Sequence, residues 1–190
     1  MPEAKIVVVP VTPGRWRDLA QLFGPRGACA GCWCMYFRQS RAEFERRRGT
    51  SNRRALHRLV AGGHMPGLIA YLDGVPAGWV ALAPRAEYSL LSRSRILKPV
   101  DDRPVWSVVC FFVARAARGR GLTVAMLRKA AAYARRRGAR CLEGYPLDAS
   151  RGKVPDLFAY YGLASAFGEA GFREVARRSP TRPIMRLNLR

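Results

Sequence analysis

Trp106-Ser-Val-Val-Cys-Phe-Phe-Val113, then Ala114-Arg-Ala-Ala-Arg-Gly-Arg-Gly-Leu-Thr123, then a helix-forming stretch to Arg137 decide how this chain folds. Trp106 to Val113 is apolar, β-branched and aromatic, the composition of a buried strand. From Thr123, the positions Met126, Leu127, Ala130, Ala131 and Ala134 form one apolar helical face. Arg135, Arg136 and Arg137 put cations on the negative pole of that helix, and Gly138 supplies a stop. Between strand and helix lie Arg118, Gly119, Arg120, Gly121, Leu122 and Thr123. Glycines allow close approach of the backbone, and the free N–H groups of a helix start attract an anion. With two arginines beside it, the turn reads as a phosphate cradle.

Three phosphate-binding turns are weighed against these residues. A dinucleotide turn needs a third glycine where Val124 stands, although Glu143 lies at the spacing of a ribose-binding acid. A Walker turn needs Gly-Lys-Ser/Thr, which is absent. The strand, the turn Gln/Arg-x-x-Gly-x-Gly/Ala and the long helix together resemble the GNAT N-acetyltransferases, with Arg118, Gly121 and Thr123 at the motif positions. Thr123 departs from the usual Gly or Ala. The resemblance implies acetyl-CoA as cosubstrate, with its pyrophosphate on Arg118, Gly119, Arg120, Gly121, Leu122, Thr123 and Val124. It also implies that backbone N–H groups around Phe112 and Val113 receive the thioester carbonyl.

Composition narrows the class further. A chain of 190 residues with 49% hydrophobic content suits one folded domain, 1–190. No apolar run approaches the ~20 residues of a membrane span, and the N-terminal stretch is too short for a signal peptide, so no membrane and a cytoplasmic address are expected. The net charge of +21 comes mainly from arginine; Lys5, Lys98, Lys129 and Lys153 are the lysines. Such a field concentrates anions, which suits CoA and an acidic amine acceptor and also favours loose contact with nucleic acid. The arginine bias is equally readable as codon composition. Monomer and homodimer both stay open.

Along the chain, Lys5–Val11 reads as a strand, and Pro13 opens a helix that ends near Gly24. Cys29, Cys32 and Cys34 follow at C-x-x-C-x-C spacing. A closed zinc site wants a fourth ligand, and His57 and His64 lie far down the chain, so no metal is expected and the thiols are read as reduced. Gly31 to Arg38 resembles a segment, Gly-Cys-Trp-Cys-Met-aromatic-aromatic-Arg, of a bacterial subgroup of that family. Ser40–Gly62 reads as two basic helices broken near Gly49, with Thr50 or Ser51 capping the second. Gly67–Asp73 and Val75–Ala83 form a hairpin at Asp73-Gly74. Arg85–Pro104 is a long connection with a short helical stretch at Glu87–Leu91, of a length that suggests a pocket wall. Ala139–Tyr145 is the next strand, Arg151–Asp156 a polar loop, and Tyr160–Gly171 a helix. Glu174–Arg178 and Pro183–Leu189 close the chain as strands.

This order is similar to the GNAT fold, an α/β (α+β) protein with a mixed, mainly antiparallel twisted sheet flanked by helices. Its sheet is splayed between the fourth and fifth strands. The resemblance implies transfer to an amine by direct attack, with a small molecule as the first reading. A charged tRNA or protein amine is the alternative, and a non-enzymatic nucleic-acid-binding role is a third. Glu143 is the candidate base, as an isolated glutamate tuned upward by burial, and equally readable as holding an arginine or a loop backbone; Asp148, Glu87 and a water chain stay open for that role. The family's donor tyrosine falls on Phe167, which holds no proton to give; Tyr160, Tyr161 and Ser165 are the substitutes. Cys32, Trp33, Cys34, Tyr36, Arg85, Tyr88 and Tyr145 are expected around the acceptor.

Overall fold

The computed structural model describes residues 4–151 and 160–190. Its strands are β1 (Ile6–Pro10), β2 (Gly67–Leu72), β3 (Val75–Pro84), β4 (Trp106–Val113), β5 (Cys141–Gly144), β6 (Arg173–Arg177) and β7 (Pro183–Asn188). The helices are α1 (Trp16–Phe23), α2 (Arg41–Arg47), α3 (Thr50–Ala61), α4 (Ser89–Arg93), α5 (Leu122–Arg136) and α6 (Ala164–Glu169). One sheet of order β1-β2-β3-β4-β5-β7-β6 carries them. Every pairing is antiparallel except β4 with β5.

The β2–β3 hairpin turns on Asp73 and Gly74, both at positive φ (50° and 82°), the turn that matches strand twist. In β4 the alternation of faces slips by one residue. Ala81 faces Cys110 and Leu82 faces Val108, so Val109 has no opposite number on β3. This β-bulge puts Val109 and Cys110 on the same face, where the pleat alone would separate them. Val108 and Phe111 thus join the core under α5, with Leu122, Met126, Leu127, Ala130 and Ala134. Val109, Cys110 and Phe112 join the second core, with Leu19, Phe23, Leu56, Val60 and Trp79 beneath α1 and α3.

β4 and β5 pair at Trp106–Leu142, Ser107–Glu143 and Val108–Gly144, and the register ends there. The outer half of β4 therefore has no strand on that side among the described residues. The expected splay is present, and the bulge sits where it begins.

Several expected boundaries move. The second basic helix is capped by Gly49 at φ 78° with no side-chain cap, while Ser40 caps the first by accepting from the Glu43 N–H at 3.2 Å. The last helix is shorter than expected. Gly162 is at φ 76° and Leu163 is extended, bridging Leu147, so the helix starts only at Ala164. Most of the expected loop Arg151–Asp156 lies outside the described residues. No described helix is long and apolar enough to cross a membrane.

Gly144, the last paired residue of β5, has no room for a side chain. A Cβ there would lie 2.1 Å from the ring of Phe167, which is itself fully buried. Gly144→Ala should therefore cost about 1–3 kcal/mol through overpacking, seen as a lower Tm. Gly168→Ala meets nothing within 4 Å on α6 and should leave Tm unchanged or slightly raised. Equal melting of the two variants would contradict this packing.

Candidate active site

The turn into α5 is built to leave its amides free. A 3-10 turn, Arg115–Ala117, follows β4; Gly119 and Gly121 are then left-handed, at φ 71° and 77°. Gly121 is the N-cap, and the first intrahelical bond runs from the Ala125 N–H to its carbonyl at 3.1 Å. Among the described residues, the successive N–H groups from Gly119 to Val124 have no backbone or side-chain partner. Nothing lies within 4 Å of where a Cβ on Gly119 or Gly121 would be, so the space before them is open. Leu122 and Val124 bury their side chains in the core and contribute backbone only, whereas Thr123 is half-buried and Arg118 and Arg120 are exposed. Free amides, a helix dipole and flanking arginines fit a pyrophosphate. Phe112 and Val113 lead into the turn from the unpaired half of β4.

Glu143 is not the isolated carboxylate expected. It is fully buried, and both of its oxygens accept hydrogen bonds. Oε1 accepts from Tyr145 Oη at 2.6 Å and from Arg85 Nη1 at 3.0 Å; Oε2 accepts from Arg186 Nε at 2.7 Å. Arg186 continues to Asp101 with two bonds, at 2.7 and 3.0 Å, which hold that carboxyl below its usual range. Because the Tyr145 proton goes to Glu143, Ser107 must donate to the phenol oxygen at 2.9 Å, and Arg85 donates to it as well. Burial, then the Glu143 charge, push the Tyr145 phenol well above its ordinary value. Arg85 also donates to the Leu97 carbonyl at 2.6 Å and Arg178 to Lys98 at 2.6 Å, pinning the 85–104 connection against the sheet end. Two guanidiniums and a phenol thus hold the Glu143 carboxylate in place at the end of β5.

On the face of Cys110, thiols and phenols gather. Trp33 and Cys34 are both left-handed, at φ 43° and 51°, a conformation rare outside glycine. That bend aims Cys34 at β4: its Sγ lies 3.6 Å from Cys110 Sγ and accepts from the Trp79 indole N–H at 2.9 Å. Cys32 instead donates to the Gly27 carbonyl at 3.3 Å, and Cys29 is exposed, so the three thiols do not converge. Burial pushes the Cys32 thiol up to about 12. Trp33 packs between Trp16 and Phe23, under Arg53, and lines a cavity with Ala20, Gln21 and Thr50. Tyr88 is buried with its hydroxyl unpaired, and burial raises its phenol strongly. Tyr36 and Tyr161 both stack edge-on to Phe37, and the rings of Tyr160 and Tyr161 lie 4.1 Å apart.

Ser165 is exposed on α6, a helix that packs on α5. Glu143 and Tyr145 point to the opposite face, so the structure does not bring Ser165 to them. Phe167 is core, edge-on to Phe111 at 6.0 Å. Sequence reasoning missed Arg186, Asp101, Ser107, Cys110 and Arg182. One signal was legible: Arg186 interrupts an apolar strand, as Glu143 does, and the two are cross-strand partners.

Replacing Glu143 with Gln leaves buried guanidiniums undercompensated. The expected cost is about 3 kcal/mol, a fall in Tm of roughly 6–12 °C by melting. A hundredfold loss of activity at unchanged Tm would instead mark Glu143 as the base.

The model of the acetyltransferase (GNAT) family matches residues 31–147. No curated protein matches the chain. Among solved structures, a GNAT-family protein from Desulfovibrio desulfuricans is 16% identical with a TM-score of 0.51, covering 98% of this chain and 100% of its own. A GNAT-family acetyltransferase from Listeria monocytogenes is 11% identical with a TM-score of 0.56, covering 97% and 95%. The protein yncA from Salmonella typhimurium, solved with acetyl-CoA, is 14% identical with a TM-score of 0.50, covering 97% and 94%. At such identities the likeness is one of fold. The family match, spanning more than half of the residues and seated on the splayed sheet and its glycine turn, makes this chain a member of the GNAT acetyltransferase family, which uses acetyl-CoA.

Proposed function

We propose that this protein transfers the acetyl group of acetyl-CoA to the amine of a small molecule by direct attack. The observation that carries the reading is the run of unpartnered N–H groups from Gly119 to Val124, placed where β4 has lost β5. Those amides, with Arg118 and Arg120, hold the pyrophosphate. The widening gap beyond Val108 takes the pantetheine, and N–H groups around Phe112 and Val113 steady the carbonyl oxygen as it gains charge.

In the reaction an N–C bond forms as the thioester C–S bond breaks, and the amine's proton leaves to solvent. A thiol of pKa ~8.5 departs with little help. The chain's part is then to bind, orient and stabilise charge. Tyr160 and Tyr161 pack against the same core as Cys110 and Phe112, and Tyr161 is the residue we assign to meet the departing sulfur. Burial, a hydrogen bond with Tyr161 and the neighbouring Tyr36 and Cys110 raise the Tyr160 phenol, so it stays protonated at neutral pH.

Calorimetry tests the cradle. Gly121→Asp places a carboxylate before the phosphates and should weaken acetyl-CoA binding by 50-fold or more, with Tm as the folding control. Wild-type affinity should also fall between low and physiological salt, because exposed Arg118 and Arg120 are screened. A folded Gly121→Asp protein with wild-type affinity would falsify the site.

A further inference from the structure

Several arginines around the gap hold a carboxylate, whereas Arg178 donates to the Lys98 and Pro99 carbonyls. Arg38 meets Glu87 at 2.6 Å, Arg85 and Arg186 share Glu143, and Arg177 bridges Asp148 and Glu174. Arg182, in the connection between β6 and β7, differs. Among the described residues it has no carboxylate partner. Its Nη2 donates to the Tyr145 carbonyl at 3.1 Å, its guanidinium lies 3.6 Å from the Tyr161 ring centroid, and its Nε is buried with no partner at all.

These contacts fix where the group faces. Tyr145 directly follows β5 at the mouth of the gap, and Tyr161 shares a wall with Tyr160, Phe37 and Tyr36. Tyr160 in turn lies near enough to Cys110 on β4 for the two to interact electrostatically. Arg182 is therefore on the same face as the bulged half of β4, across from the place assigned to the acetyl group. Stacking on Tyr161 and the bond to Tyr145 hold the guanidinium plane in one orientation. A planar, oriented fork with a buried N–H left over is complementary to an oxyanion, which accepts two parallel N–H bonds. Another buried polar atom without a partner, the Tyr88 hydroxyl, packs in the same core as Tyr145.

We propose that Arg182 selects the acceptor, and that the acceptor is a small amine carrying an oxyanion, a carboxylate or a phosphorus oxyacid, which the guanidinium holds against the Tyr161 ring. The proposal rests on the acetyl-transfer reading. The overall positive charge concentrates such molecules near the protein, while Arg182 orients them, so that the amine end is turned toward the gap. A bare amine would find the guanidinium unpaired and a like charge opposing it before deprotonation.

The test is CoA release at saturating acetyl-CoA with matched probes. These are β-alanine and 2-aminoethylphosphonate against ethylamine, and the L-amino acids against their amides. Turnover is expected with anionic members and at least tenfold lower kcat/KM with their neutral partners; the two anionic arms separate carboxylate from phosphorus oxyacid. Arg182→Gln should raise KM for the anionic acceptor by 50-fold or more with kcat within threefold, and Arg182→Lys should restore part of it. Acetyl-CoA affinity and Tm should be unchanged in both variants. Neutral amines turned over as well as their acids, or an unchanged KM in a folded Arg182→Gln protein, overturns the proposal. Binding of acetyl-CoA with no turnover on any probe also overturns it, while leaving the cosubstrate site standing. Failure to bind acetyl-CoA overturns the reading beneath.

Discussion

One extra residue in one strand governs the rest of this molecule. With Val109 unmatched on β3, β4 bends and twists at the point where its pairing with β5 stops. A parallel neighbour that followed β4 to its end would occupy all the backbone groups on that side. Here the outer half keeps them for a ligand. The same slip reassigns the faces: Phe111 goes under α5 with Phe167, while Cys110 and Phe112 turn to the thiol and tyrosine side. The two faces beside the gap thus differ, with Phe111 and Phe167 on one and Cys110, Phe112, Tyr160 and Tyr161 on the other. The glycine turn follows directly from β4, so the phosphate cradle and the gap are positioned by one continuous segment.

A sheet opened in this way needs something to keep β5 in place, and a buried charge network does this work. Glu143, Arg186, Arg85, Tyr145 and Ser107 join β5, β7, β4 and the 85–104 connection across a fully buried carboxylate. Such networks are costly to desolvate, and an apolar replacement is often as stable. Their value is directional. Each donor and acceptor has one partner geometry, which fixes the angle between β4 and β5 and holds the connection as a wall. Network and gap lie side by side, because Ser107 and Glu143 are among the last paired residues of β4 and β5.

Much of this was readable from residues. The apolar run Trp106–Val113, the glycine turn and the amphipathic α5 appear at or within one residue of their expected bounds. So does the Asp73-Gly74 hairpin, because local backbone preference and tertiary demand agree there. The last helix was overextended because Gly162 was read as interior to it; its positive φ and the bridge from Leu163 to Leu147 mark the break there. The partners of Glu143 were hidden for a related reason. A lone glutamate in an apolar strand announces burial, but its neutralising partners come from residues 58 and 43 positions away. Arg182 was invisible among so many arginines. Its distinction is a buried Nε without a partner beside the Tyr161 ring, and that emerges only in three dimensions.

Hydrogen exchange with and without acetyl-CoA tests the central claim most directly, because it reads the backbone amides themselves. The unpaired groups of Val109–Val113 and of Gly119–Val124 should exchange rapidly in the free protein and slow at least tenfold when acetyl-CoA is bound. Amides of β1, β2 and the α2–α3 segment should change little. Protection centred on α2–α3, or no change in the two β4-linked segments under saturating acetyl-CoA, would contradict the account.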